Sequence, residues 1–215
     1  MKRLVFVLLI AVGALMRVGP AAAEIRVEPD DFPNRWILTH AVPGVTLSMT
    51  FADGTLRGDF SIISSEPYGG TPSTGTRVFG AASSTGEGPH FYYASGNLRA
   101  DFDTTIHAVS IDFIGCCDVP GDPQTQGLLR AFSSSGVLLA SEATAVLPRG
   151  IAARTTVTSP GTPIAYVLAS TTEGSNATYL DNLVASAVPA PPAAWLLAAG
   201  LMLVAVVARR GSNRR

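Results

Sequence analysis

Short runs in which apolar and polar residues alternate recur along the middle of the chain. One run places four apolar side chains on the same face of a strand: Val45, Leu47, Met49 and Phe51. Since successive side chains of a strand point to opposite sides, the serine and threonines between them would form the other face. The pattern predicts a strand with one face in a core and the other turned outward.

A second run has the same pattern: Val109, Ile111 and Phe113 are predicted to point inward, and Ser110 and Asp112 outward. Further candidate strands cover 35–42, 76–81, 90–93, 98–102, 127–133, 137–141, 153–158, 164–169 and 178–184. Turns rich in glycine, proline, serine and aspartate separate these segments, and a clean helical period is missing. Residues 24–187 are therefore predicted to form an all-β domain, a jelly-roll β-sandwich.

The N-terminal segment 1–23 contains an almost unbroken apolar run. Lys2 and Arg3 precede this run, and three alanines stand before Glu24. Basic, apolar and small-residue regions in this order are typical of a secretory signal peptide. A permanent anchor helix is the alternative, but twelve apolar residues rise only about 18 Å, short of the ~30 Å hydrocarbon core. We expect export across the inner membrane, with cleavage before Glu24.

The C-terminal segment 188–215 begins with prolines and then becomes apolar. Its parts are Val188, Pro189 and Pro191, then a predicted hydrophobic helix over 193–208 that includes Trp195, and finally Arg209 and Arg210. Arginines at this end fit a cytoplasmic side, and tryptophan suits the opposite interface. A helix of about 24 Å is short for a lasting span. The pattern favours a removable sorting signal over a plain tail anchor.

This tail resembles the PEP-CTERM sorting signal, which joins a short proline motif, one apolar helix and a terminal arginine cluster. The resemblance covers residues 188–210, and Ala190 stands where the motif usually has glutamate. It implies that an exosortase in the inner membrane processes the tail, so that the protein is transiently membrane-anchored and then reaches the cell surface or the extracellular space. It also implies an association with exopolysaccharide and biofilm.

Charge is divided unevenly between the segments. All 16 acidic residues lie between Glu24 and Asp181, whereas seven of the 15 basic residues lie outside that stretch, which leaves the central domain with a net charge of −8. Such a domain repels polyanions, so nucleic acid is not an expected partner.

A looser resemblance involves the segments 98–102, 109–113, 128–132 and 179–183. Together they are similar to galactose-binding-like jelly rolls, whose last strand often ends in Asp-Asn-Leu. The resemblance implies a carbohydrate-binding-module-like fold and a structural Ca²⁺ near the terminal strands, with Asp181 as a candidate ligand. The alternative is that Asp181 only accepts a hydrogen bond from a backbone amide.

Cys116 and Cys117 are adjacent and are the two cysteines of the chain. In an oxidising compartment we expect a vicinal disulfide between them, with an intermolecular bridge as the alternative. Asp118 and Asp122 follow in a loop that contains proline and glycine. They are candidate Ca²⁺ ligands or, alternatively, solvated turn residues.

Tyr68 and Tyr92 are the candidate ligand-binding aromatics. Aromatic rings can stack on the apolar faces of sugar rings. In the alternative arrangement Phe91 and Tyr93 face the core and Tyr92 alone lies outside.

The sequence shows no pattern typical of catalysis: its histidines are far apart and a Gly-x-Ser-x-Gly elbow is missing. The leading hypothesis is a non-catalytic, exported surface or matrix protein that associates with exopolysaccharide and needs no catalytic cofactor. One alternative is an adhesive protein-binding module cross-linked through Cys116 or Cys117. The other is a hydrolase with an unrecognised site.

Overall fold

The computed structural model describes residues 24–67, 71–83, 92, 95–116 and 124–187. The strands in these residues are Glu24–Val27 (β1), Val45–Phe51 (β2), Phe60–Ser65 (β3), Val78–Ser83 (β4), Gly96–Ile106 (β5), Ala108–Gly115 (β6), Gly127–Phe132 (β7), Leu138–Ala143 (β8), Ala152–Thr158 (β9), Ile164–Thr171 (β10) and Thr178–Ser186 (β11).

The strands form two antiparallel sheets that pack as a sandwich. Strands β3, β4, β11, β6 and β9 lie side by side in a six-stranded sheet, which β1 completes by pairing with β11. The five-stranded sheet has the order β2, β5, β10, β7, β8. Most successive strands lie in opposite sheets, so the chain crosses repeatedly between the layers. The predicted all-β sandwich is confirmed, while the flanking segments 1–23 and 188–215 lie outside the described residues.

The core lies between the sheets and follows the predicted alternation in β2. Val45, Leu47 and Met49 are all buried there. Phe51 was predicted on the same face, but it lies outside the core, since the residue is 47% exposed. The strand runs past the edge of the core at this point, and the Arg57 guanidinium lies 4.9 Å from the centre of the Phe51 ring.

Strand β6 lies between β11 and β9, and its inward residues Val109, Ile111 and Phe113 are completely buried as predicted. Phe113 packs directly on Gly127 of β7, where any Cβ would overlap its ring. Asp112 is on the opposite side of β6 from these residues, yet it is only 6% exposed. Ser73 and Arg154 contact it there, so the outer side of this strand is not simply solvated.

Some segments differ from the prediction. The predicted strand 35–42 is wrong, because its ladder is limited to an isolated bridge between Ile37 and Ile63. Strands β1 and β3 were missed. Ile62 and Ile63 of β3 are consecutive and both buried, so this strand lacks the alternation that a half-exposed strand shows. Within the described residues, no helix is long and apolar enough to cross a membrane.

Candidate functional site

One surface of the five-stranded sheet points away from the core, and we call it the sheet face. Buried apolar residues mark the core side of each strand, so the residues between them form the outer side. The sheet face comprises Thr46 and Ser48 of β2, Asn97, Arg99 and Asp101 of β5, Tyr166, Leu168 and Ser170 of β10, and Leu128, Arg130 and Phe132 of β7.

The strand register aligns four of these residues in a row across the sheet. Thr46 lies opposite Asp101, Asp101 opposite Tyr166, and Tyr166 opposite Phe132. Neighbouring strands are about 4.8 Å apart, a distance at which facing aromatic rings can stack. The rings of Tyr166 and Phe132 are stacked, with centroids 4.9 Å apart and planes inclined by 8°. The two rings therefore cover one another's faces, and the row presents mainly their edges to the outside.

Arg99 extends this aromatic stack on the side of β5. Its guanidinium carbon lies 3.9 Å from the centre of the Tyr166 ring, and its Nε and Nη2 atoms donate to the Asp101 carboxylate at 2.6–3.0 Å. The hydrogen bonds from Arg99 to Asp101 raise the pKa of the arginine. Arg99 and Phe132 therefore cover the two faces of the half-buried Tyr166 ring, and the Arg99–Asp101 ion pair lies beside this stack.

Arg130 supplies a second guanidinium to the sheet face. Its Nη2 donates to Asn97 Oδ1 at 3.2 Å, and Asn97 Nδ2 in turn donates to the Phe51 carbonyl at 2.7 Å. Burial lowers the pKa of Arg130. Its Nε and the Ser48 hydroxyl are buried without a hydrogen-bond partner among the described residues. Both atoms are closed to solvent, so a ligand on this face does not reach them in this conformation.

An apolar groove lies beside the β2 edge of the sheet face. It is lined by Phe32, Pro33, Trp36, Ile37, Thr39, His40 and Ala41. Trp36 and Ile37 are 54% and 59% exposed, so the groove presents apolar side chains to the outside. His40 Nδ1 lies 3.3 Å from Thr46 Oγ1. The groove therefore adjoins the row that contains Asp101, Tyr166 and Phe132.

The six-stranded sheet carries a different feature, an acidic cluster formed by Glu28, Asp112 and Asp181. All three are buried, and Asp181 is completely so. Its Oδ2 accepts hydrogen bonds from the backbone amides of Ser73 and Thr74 at 3.0 and 3.1 Å. Burial raises the pKa of Asp181 to about 6, the Ser73 and Thr74 hydrogen bonds oppose this rise, and the charge of Glu28 adds to it.

Ser73 joins two carboxylates of the acidic cluster. Its Oγ lies 2.7 Å from Asp181 Oδ2 and 2.8 Å from Asp112 Oδ2. A hydroxyl carries one hydrogen and can donate to only one of these oxygens. The two carboxylate oxygens therefore share one hydrogen, unless one carboxyl group is protonated, which the raised pKa of Asp181 favours on acidification. Asp112 is balanced on its other side by Arg154, whose Nε donates to Asp112 Oδ1 at 2.7 Å and whose pKa is raised by this contact.

Three oxygens near the end of β1 and in β11 have no hydrogen-bond partner among the described residues although they are buried: Glu28 Oε1, Asp181 Oδ1 and Asn182 Oδ1. Val27 pairs with Leu183, so Glu28 follows in line with Asn182. Asn182 adopts a left-handed conformation with φ 48°, where the β11–β6 register shifts. Buried acceptors without partners are costly.

These three oxygens fit the preference of Ca²⁺, a hard cation that binds carboxylate and amide oxygens. The predicted ligand Asp181 is one of them. No group of three or more His, Cys, Asp or Glu suited to a metal occurs in the described part of the chain. A cation here would depend on the Asn182 amide oxygen as well as on the two carboxylates.

Solved structures that this chain resembles include adhesin and carbohydrate-binding domains. The K2 cleaved adhesin domain of Lys-gingipain gives a TM-score of 0.47 at 16% identity, over 77% of this chain and 100% of that one. The CBM22-1 xylan-binding domain of Paenibacillus barcinonensis Xyn10C gives 0.42 at 10% identity, over 79% and 97%. The family 29 carbohydrate-binding module CBM29_1 of Piromyces equi gives 0.33 at 10% identity, over 66% and 90%.

No protein-family model matches the chain, and no curated protein matches it.

The aromatic residues predicted from the sequence are not those of the sheet face. Tyr92 is completely buried, and its hydroxyl lies 3.5 Å from the Gly80 carbonyl, to which it donates. Burial also raises its pKa. The prediction that Tyr92 stacks on a ligand is therefore wrong, because Tyr92 forms an isolated bridge to Thr178 of β11 and its ring joins the core. Tyr68 lies outside the described residues.

The other predicted site residues are only partly within the described chain. Cys116 directly follows β6 and is buried. Its sulfur is part of a disulfide bond. Cys117 lies outside the described residues, so the vicinal disulfide stays a prediction. Asp118, Asp122 and the sorting-signal residues Val188, Pro189, Pro191, Trp195, Arg209 and Arg210 also lie outside them.

The described histidines do not assemble a catalytic group with the acidic cluster. His40 contacts Thr46, and His107 Nδ1 lies 2.7 Å from the Ser159 carbonyl oxygen. Neither His40 nor His107 has a hydrogen bond to Ser73, whose hydroxyl contacts Asp112 and Asp181. The Ser73 hydroxyl is hydrogen-bonded to Asp112 and Asp181, and Glu28 accepts from Arg26, as expected of a structural network.

Proposed function

We propose that this chain is a non-catalytic carbohydrate-binding protein and that the sheet face holds a neutral glycan. The observation that carries the proposal is the Tyr166–Phe132 stack, which lies in one row with the ion-paired Asp101. Sugar rings have apolar faces that can pack against the outward edges of these aromatic rings, and their hydroxyls form hydrogen bonds with charged side chains. The sheet face offers both kinds of contact within a few strand spacings.

Two further properties support this proposal. The Arg99 side chain is held by Asp101 and by the Tyr166 ring, so little rotamer freedom remains to be lost when a ligand binds. The net charge of −8 on the central domain disfavours an acidic polysaccharide as the ligand. A neutral glycan meets no such repulsion.

The proposal is tested by removing the aromatic stack. Tyr166→Ala and Phe132→Ala should weaken binding of the purified full-length chain to its polysaccharide about tenfold or more, a loss of about 1.4 kcal/mol. Affinity electrophoresis against xylan, β-glucan, mannan and galactan identifies the polymer, and calorimetry measures its Kd. Phe51→Ala is the matched control, because Phe51 is an exposed aromatic at the end of β2.

Either of two results would remove the proposal. One is that none of the four polymers binds the unmodified chain. The other is that the Tyr166 and Phe132 variants, with unchanged thermal unfolding, bind as the control does. Binding of a protein partner by the same face would instead support the adhesive alternative.

We also propose that the acidic cluster holds a structural Ca²⁺. Glu28, Asp181 and Asn182 would supply the oxygens that lack a partner. The ion would fix the end of β1 against β11 and, through Asp181, the loop that contains Ser73 and Thr74. It would supply positive charge to a buried acidic site and take no part in a reaction.

The ends of the chain complete the proposed role. We propose that residues 1–23 direct export, that residues 188–215 are a PEP-CTERM-like signal processed by an exosortase, and that the domain then acts at the cell surface or in an exopolysaccharide matrix. Intact mass of the protein from its host, with and without the exosortase, tests this. A chain from Glu24 to near Val188 is expected, and a mass that retains residues 189–215 would contradict processing.

A further inference from the structure

We infer that the ligand is an extended glycan chain that runs from the sheet face over the β2 edge into the Trp36 groove. This inference rests on the proposed function and adds a second contact region to it. It excludes a ligand that consists of a single terminal sugar. Three properties of the combined surface favour such a ligand: its continuity, its chemistry and its length.

The surface is continuous because Thr46 belongs to both regions. Thr46 ends the row of Phe132, Tyr166 and Asp101 on the edge strand β2. The same Thr46 hydroxyl lies 3.3 Å from His40 Nδ1, and His40 lines the groove together with Trp36. A chain that follows the row therefore reaches the groove without crossing an intervening strand.

The groove has the chemistry that a sugar ring requires. Trp36 presents a large aromatic surface that is half exposed, and Ile37 is exposed to a similar degree. Thr39 and His40 add polar atoms to the same lining. An aromatic platform with polar groups at its border suits a ring that has an apolar face and a rim of hydroxyls.

The segment that carries Trp36 is held in place by the backbone, so the groove is preformed. The amide of Arg35 donates to the Ser64 carbonyl at 2.7 Å, and the amide of Leu38 donates to the Ile62 carbonyl at 2.7 Å. The Ser64 amide donates to the Trp36 carbonyl at 2.9 Å. Strand β3 thus fixes the backbone on both sides of the Trp36 side chain.

The length of the surface sets the size of the ligand. Phe132, Tyr166, Asp101 and Thr46 lie on four adjacent strands, which span about 14 Å from first to last. A pyranose unit advances a linear glycan by about one strand spacing. Four units therefore cover the row, and about one more reaches the groove, so we expect a site for roughly five sugar units.

The experiment compares ligand length with and without Trp36. Calorimetry of the full-length chain uses linear xylo-, gluco-, manno- and galacto-oligosaccharides from the disaccharide to the hexasaccharide. Affinity should rise with each added unit up to about the pentasaccharide. Trp36→Ala should weaken binding of the pentasaccharide and hexasaccharide about tenfold and leave the disaccharide and trisaccharide within twofold. Phe51→Ala should change neither.

The outcomes separate this inference from the proposed function. Equal affinity for short and long oligosaccharides, or no length-dependent effect of Trp36→Ala, overturns the extended site while glycan binding stands. If Tyr166→Ala leaves binding intact but Trp36→Ala abolishes it at every length, the groove alone is the site and the inference is wrong. If no oligosaccharide binds, the proposed function and this inference fall together.

Discussion

Asp181 allows the sharpest test of how the buried acidic cluster affects stability. Its pKa is about 6 in the folded chain against 3.8 for the ordinary group, and the first cause is burial. The charged form is therefore less stable in the folded than in the unfolded state. The folded chain binds the proton more tightly, so the free energy of unfolding must rise as the pH falls towards 4.

The size of the effect follows from the same values. Full protonation of Asp181 in both states would raise the free energy of unfolding by about 3 kcal/mol, at 1.36 kcal/mol for each pKa unit. Between about pH 7.5 and pH 5 the free energy of unfolding is expected to rise by roughly 1.4 kcal/mol. In this range Asp181 takes up protons in the folded chain but hardly in the unfolded chain.

Urea unfolding of the full-length chain in chelator, at several pH values, measures this gain. Asp181→Asn removes the titrating group and should flatten the dependence in this range. Asp53→Asn is the control, because that carboxylate is exposed and its pKa is lowered by hydrogen bonds from Thr55. A native chain that loses stability on acidification from pH 7.5, or an Asp181→Asn variant with the native slope, would refute the reasoning.

Three more outcomes are expected. Ca²⁺ at about one hundred times its Kd should raise the free energy of unfolding by about 2.7 kcal/mol, measured by calorimetry. Asp181→Asn should abolish this rise, and an equal rise in that variant would place the ion elsewhere. Gly127→Ala should cost about 1–3 kcal/mol in urea unfolding because the new methyl group overlaps Phe113, and unchanged stability would show that the sheets separate easily. Arg99→Gln should change the free energy of unfolding by less than about 1 kcal/mol, since the Arg99–Asp101 ion pair is partly exposed. It should weaken glycan binding several-fold in calorimetry, and unaltered binding would show that Arg99 is not part of the site.

The sequence predicted the sandwich because alternation is strong where one side of a strand is in the core. Leu47 and Val109 illustrate this, since each lies in a run of period two and is completely buried. The prediction failed where a strand is buried on both sides, as at Ile62 and Ile63, because the alternation then disappears. It also failed at Phe51, where the strand continues beyond the core.

The candidate site was harder to predict than the fold. Asp181 was named as a candidate because of its Asp-Asn-Leu motif. Ser73 is 108 residues from Asp181 in sequence, yet its hydroxyl contacts both Asp181 and Asp112. The stack of Tyr166 on Phe132 depends on the register between two strands, which a single sequence does not fix. The outward positions of Arg99 and Tyr166 within alternating runs were the available signal for the sheet face.

The pairing of β1 with β11 has a consequence for the order of folding. Glu24 lies opposite Ser186 and Val27 opposite Leu183, and β11 is the strand to which β1 is hydrogen-bonded. In a chain that crosses a membrane from its N-terminus, the first strand emerges early and must wait for the last. Closing a loop of this length is entropically expensive and slow. Completion of the six-stranded sheet is therefore expected only after the whole domain is available to fold.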